Sequence, residues 1–218
     1  MPESSGSIAR FDKRVIVCRI QRHHHATVAM NDNTAPATRD RFRAMAEGTK
    51  EQWAKIAEAD KAYEADIPRR VLGLMTLLKD NRHAFAIGRL MHCLQTATRA
   101  QRDGRDEEYI VCALLHDIGA SIAPESHGDF AAAILRPYVS EQNLWMVQYH
   151  PIFQGYYYNH FFDGDRDERE SFRGHPHFEY TADFCERYDQ AAFDPAYQTL
   201  PLTAFTPMVH RVFAKRRR

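Results

Sequence analysis

Apolar positions recur along most of this chain at steps of three and four residues, the spacing of helices with one buried face. The pattern turns helical from Thr38, where Phe42, Met45, Trp53, Ile56 and Ala57 recur at mixed steps. Asp66-Ile67-Pro68 reads as a helix start, with Asp66 able to cap and proline in the first turn; Val71, Leu72, Met75 and Leu78 then make an apolar face. Lys79-Asp80-Asn81 reads as a loop. A helix is expected from Ile87 or Gly88 to about Arg102, ended by Asp103-Gly104, and the next from the acids Asp106-Glu107-Glu108 to Ile118. Residues 127–136 make another, stopped near Pro137, and Ser140 can cap one that runs through Trp145, Met146 and Tyr149 to about His150. Residues 160–174 are rich in Asp, Arg and Gly and read as a loop or short irregular helix. A last strong helix is expected over about Pro176 to Gln190, with a short one near Phe205 to Phe213 in an otherwise irregular tail. No segment reads as a strand and no repeat is visible, so the expected fold is all-α, one helical bundle over 41–218.

Residues 1–40 differ from the rest. Arg10, Lys13, Arg14, Arg19 and Arg22 face few acids there, and the run is too polar for a secretory signal. It reads as a flexible extension or as a start called too early, Met30 being the start in the second case. The run His23, His24 and His25 then has no fixed geometry and is not read as a metal site.

The 218 residues suffice for one compact core. The 29 basic and 29 acidic residues balance, so no net field favours nucleic acid or an anionic membrane. No apolar run approaches the ~20 residues that span a bilayer. The four cysteines are scattered without a Cys-x-x-Cys pair, which fits a reducing cytoplasm better than a disulfide scaffold. A cytoplasmic protein acting on a small molecule, with no nucleic-acid or membrane partner, is the expectation; oligomeric state is not legible.

Chemistry concentrates in Cys112-Ala113-Leu114-Leu115-His116-Asp117-Ile118-Gly119, an apolar run that ends in two metal ligands. Tyr109, Cys112, Ala113 and His116 share a helical face. His92 sits in an apolar helix, His127 begins a helix and His150 ends one. Phe178, Ala182, Cys185 and Asp189 follow one helical face that is apolar until its last member. A buried carboxylate is costly unless paired or bound to metal. One histidine on an apolar face is more often a hydrogen-bonded core residue than a ligand. Four histidines and two aspartates on converging helices point to a metal site.

With these residues placed, the chain resembles the HD-domain superfamily over about residues 85 to 195. The resemblance implies an HD-domain helical bundle in which His92, His116, Asp117 and Asp189 hold one metal. His127 and His150 match the two further histidines of dinuclear members, with Asp117 bridging. Those members divide into phosphohydrolases and mixed-valent di-iron oxygenases, the latter including myo-inositol oxygenase and the oxygenases that cleave carbon–phosphorus bonds of hydroxylated phosphonates. His92-Cys93-Leu94-Gln95-Thr96-Ala97 looks like the His-x-x-Gln-Thr-Ala run around the first ligand of the oxygenases.

The resemblance therefore implies two iron ions as Fe(II)/Fe(III), O2 as co-substrate, a small polar hydroxylated substrate (hydroxyphosphonate or polyol like), and Asp117 and Gln95 in the catalytic centre. Gln95 reads equally as a polar residue in a helix contact. Imidazole and carboxylate accept Fe, Mn and Zn alike, so the choice of iron rests on the resemblance. The chain departs from the phosphonate-cleaving relatives in three places. Arg82-His83-Ala84-Phe85 lacks their loop Tyr and Glu, Ala120 replaces a histidine, and Gln154 replaces a lysine. Gln154, Tyr156 and the tyrosines after it are candidate substrate contacts, or half-buried packing. Arg173, with His175 and His177, can take an anionic group near a helix start or stand in solvent. The alternative is a phosphohydrolase using Mn or another divalent metal on a nucleotide or small phosphate ester. The third reading is a sensor with a vestigial site.

Overall fold

The computed structural model describes residues 42–80 and 85–217. The extension, the histidine run, Met30 and the stretch Arg82-His83-Ala84 lie outside the described residues. The chain divides into two units, Met1–Gly48 and Thr49–Arg218. Within the first, the described residues include one 3-10 turn, Met45–Glu47.

In the second unit every regular element among the described residues is helical, as the spacing predicts. Helix α1 spans Lys50–Ala65. It starts later than the apolar steps suggest because Thr49 and Gln52 form a reciprocal cap: Gln52 N donates to Thr49 Oγ1 at 3.3 Å and Thr49 N to Gln52 Oε1 at 2.9 Å. Phe42 and Met45 therefore lie before the helix. Helix α2 spans Ile67–Met75 with Pro68 in its first turn. Asp66 does not cap it; its carboxylate pairs with Arg69 and with Arg70, the latter at 3.3 Å. A 3-10 turn, Thr76–Asp80, follows.

Helices α3 (Arg89–Arg102) and α4 (Glu107–Leu115) pack against each other. Helix α4 is the axis of the bundle. Asp106 caps it by accepting from Tyr109 N at 2.8 Å, and Tyr109 through Leu115 are all buried. Helix α6 (Glu141–Gly155) and helix α8 (Leu202–Phe213) also pack on α4. Burying each of its leucines contributes about 1.5–3 kcal/mol, which makes α4 a rigid base for whatever stands at its end. It stops at Leu115, earlier than expected, and the chain passes through tight turns closed by Ile118 N to Leu115 O and Ala120 N to Asp117 O.

Helix α5 (His127–Leu135) packs on α6. Gly128 sets that approach, and Gly119 sets the approach of α5 to the turn after α4. A Cβ on Gly128 would lie 2.6 Å from Gln148 O, and one on Gly119 would lie 3.0 Å from His127 Cα and 2.8 Å from Phe130 Cβ. Helix α6 begins at a Ser140 cap, as expected, but continues through Pro151 to Gly155 rather than ending at His150. Residues 160–174 hold only short 3-10 turns, Asn159–Phe162 and Glu168–Phe172 overlapping that stretch. The last strong helix divides: α7 covers Phe178–Phe184, then a π-helical turn covers Cys185–Asp189, in which Gln190 N reaches back five residues to Cys185 O at 3.0 Å. No described helix is long and apolar enough to cross a membrane.

Candidate metal centre

Six ligand-capable side chains meet at one end of the bundle. His92 comes from α3, His116 and Asp117 from the end of α4, His127 from the start of α5, His150 from α6 and Asp189 from the π turn. His127 is part-exposed and the other five are buried.

Each imidazole is held by a backbone carbonyl at Nδ1. His92 Nδ1 donates to Ala192 O at 3.0 Å, His116 to Ala113 O at 2.8 Å, His127 to Pro124 O at 2.8 Å and His150 to Val147 O at 2.7 Å. With Nδ1 donating in this way, all four Nε2 atoms point inward, the ring orientation a metal requires. The sequence accounts for two of these anchors. Ala113 lies in the last turn of α4, where carbonyls lack an intrahelical partner. Val147 is four residues before Pro151, which has no N–H to offer it, so the His150 ring takes that carbonyl instead.

The inward atoms fall into two groups that share Asp117. Asp117 Oδ2 stands 3.7 Å from both His92 Nε2 and His116 Nε2. Asp189 Oδ1 closes that group at 3.1 Å from His92 Nε2 and 3.6 Å from His116 Nε2. The other oxygen, Asp117 Oδ1, stands 3.2 Å from His127 Nε2 and 3.5 Å from His150 Nε2. Within the groups, His92 and His116 Nε2 approach to 3.1 Å and His127 and His150 Nε2 to 3.3 Å. Two lone pairs so close repel unless a cation or proton lies between them. His92, His116 and Asp189, and separately His116, Asp117 and His150, are spaced to hold an ion.

The charges bear this out. Burial opposes a charge on His116, but the Asp117 and Asp189 carboxylates outweigh it and its pKa is pushed up to about 9. Burial also opposes the two carboxylate charges, yet neighbouring imidazoles hold both well below the usual range, Arg89 assisting at Asp117. Burial lowers His150 and keeps it neutral. A metal must displace the His116 proton. Loading the apoprotein near neutral pH is therefore expected to release about one proton per chain, and above about pH 9 the release should vanish. A pH indicator in weak buffer measures it; uptake without proton release would contradict the assignment of His116.

Residues 89–171 match the family model described as HD domain. That stretch, under half of the chain, is similar to an HD domain. The match contains five of the six clustered side chains and ends before Asp189, which the π turn delivers from outside it. HD domains are typically metal-dependent enzymes, and the imidazole and carboxylate donors here suit a divalent ion. No curated protein matches the chain.

The other candidate residues are placed differently by the structure. Gln95 is buried away from the ligands: its Nε2 donates to Asp194 O at 2.8 Å and its Oε1 accepts from Asp194 N at 3.1 Å. It clamps the segment after the π turn. Gln95→Ala is thus expected to cost about 1–3 kcal/mol as a lowered melting temperature, with metal content per chain unchanged; lost metal at unchanged stability would return Gln95 to the centre.

Gln154 does reach the site, donating to Asp189 Oδ1 at 3.2 Å. Tyr156 does not line the cavity beside the ligands; its ring lies under the Arg169 and Arg166 guanidinium groups at 3.5 and 4.2 Å. Arg173 is exposed and paired with Glu170 and Glu179.

The cavity over the centre measures about 270 Å³. Besides ligands, its walls are chiefly Phe85, Arg89, Gln154, Tyr157, Tyr158 and Phe193. Phe193 stacks on the His92 ring at 4.5 Å and lies tilted against Phe85 at 4.8 Å. Arg89 Nη1 donates to Asp117 Oδ2 at 2.5 Å. Sequence reading missed Arg89 and Phe193. Arg89 lies three residues before His92, one turn along the same face of α3, and that spacing was the available signal.

Proposed function

We propose that this chain is a di-iron oxygenase that uses O2 to oxidise or cleave a small polar hydroxylated substrate. The observation that carries the reading is the division of the two Asp117 oxygens between two histidine pairs, which suits two ions bridged by one carboxylate. Iron there would supply redox chemistry with O2; the protein's part is to hold the ions, bind the substrate beside them and exclude water.

Three further observations favour oxygenase over phosphohydrolase. Among the described residues lining the cavity, no carboxylate or imidazole lies outside the ligand set to donate a proton to a leaving phosphate ester. The two tyrosines there are poor acids: burial pushes Tyr157 up to about 12 and also raises Tyr158, leaving both as hydroxyl donors. Phe193, stacked on the His92 ring at 4.5 Å, and Phe85 set apolar surface beside the centre, which favours shielding reactive species from side reactions. The His92-x-x-Gln95-Thr96-Ala97 run agrees with this reading by resemblance, although Gln95 then acts on the fold.

The test is iron content with low-temperature EPR on partly reduced protein purified without chelator. About two irons per chain with a mixed-valent signal is the expected result. One metal per chain, or Mn or Zn with no such signal after iron reconstitution, would replace this reading with a phosphohydrolase.

A further inference from the structure

The cavity has an electrostatic asymmetry that the ligand set does not explain. Arg89 is the only basic side chain other than histidine among the described residues lining it. It enters from the first turn of α3 and its side chain is 24% exposed, so it is neither sealed in the core nor free in solvent. One donor, Nη1, is committed to Asp117 Oδ2, and Nε is buried with no hydrogen-bond partner. A guanidinium offers five donors in a flat fork suited to oxyanions.

The only carboxylates lining the cavity among the described residues are Asp117 and Asp189, and both face the imidazoles as ligands. Two bound ions together with Arg89 outweigh these two charges, so the loaded cavity carries a net positive charge with no anion of its own left to balance it. Besides Arg89 and the ligands, the walls carry aromatic rings, the hydroxyls of Tyr157 and Tyr158 and the amides of Gln154 and Gln190, none of them charged. A neutral polyol could accept hydrogen bonds there but would leave the positive field unmatched.

We infer that Arg89 is a substrate-binding residue that receives a single oxyanionic group, phosphonate, phosphate or carboxylate, placing the rest of a small substrate against the ions and the Phe193–Phe85 wall. This inference rests on the oxygenase reading for its reaction but not for its binding chemistry. It narrows the substrate to a hydroxylated acid. While holding Asp117, Arg89 also keeps the anion within reach of the centre, since one guanidinium can donate to both groups at once.

The probe is inorganic phosphate, titrated by calorimetry into the metal-loaded full chain, with metal per chain measured on the same samples. Arg89→Gln, loaded with excess metal to the same content as the unsubstituted protein, is expected to weaken phosphate binding at least about tenfold. Arg89→Lys, which keeps the charge without the fork, should bind phosphate between the two. Phosphate affinity equal in all three proteins would overturn the inference. So would a loss of phosphate binding that tracks a loss of metal, because Arg89 would then act only as the counter-charge of Asp117. One metal per chain in the unsubstituted protein would remove the dinuclear reading instead, and the comparison at Arg89 would still be read at that shared metal content.

Discussion

Asp117→Ala is expected to empty both metal positions. One carboxylate serves each histidine pair through a different oxygen, at 3.7 Å on one side and 3.2 and 3.5 Å on the other, so a single truncation removes a ligand from each. It also strips Arg89 of its 2.5 Å partner and leaves a part-buried cation beside four imidazoles, where it repels any incoming ion. Loss of one outer-sphere partner typically lowers metal affinity about 10–100-fold; losing a ligand shared by two ions should exceed that. Metal analysis after gel filtration measures the effect, and activity should fall to background with it. A variant that still carries two metals would show that Asp117 does not bridge.

His127→Ala acts on one position only. His127 lies near Asp117 Oδ1 and His150, while His92, His116 and Asp189 keep their spacing without it. The expected result is loss of about one metal of two, with the mixed-valent EPR signal and O2-dependent turnover gone. An enzyme needing one ion would keep its activity, so turnover unchanged in His127→Ala would count against the oxygenase directly. Comparing the two variants separates the shared ligand from the dedicated one.

The helical periodicity was readable because apolar residues at three- and four-residue steps have to face a core, and α3, α5 and the start of α6 follow it closely. The clustered ligands were readable for a related reason: His116 and Asp189 each sit on an otherwise apolar face, where an unpartnered polar group would be costly. What escaped the sequence depended on backbone placement. The helix from Ser140 was expected to end at about His150, yet α6 runs on and tolerates Pro151 because the Val147 carbonyl finds the His150 ring. Gln95 looked like a neighbour of His92, but its face of α3 turns to the segment around Asp194, almost a hundred residues away in sequence. Tyr156 and Tyr158 are alike in composition, and only the turn at the end of α6 decides that one lies under arginines and the other in the cavity.

The π turn ties the centre to residue number as well as residue type. An α-helix advances about 100° per residue, and a turn closed over five residues holds one more residue than an α-turn would. Asp189 closes that turn and faces His92 and His116 from it; removing any one member of Cys185–Asp189 would shift the register of the carboxylate by about a quarter turn or more. The surplus residue also sets where Ala192 falls, and with it the carbonyl that fixes the His92 ring. The reading frame of this short stretch is thus itself a determinant of the site: side chains there can be exchanged more safely than counted differently.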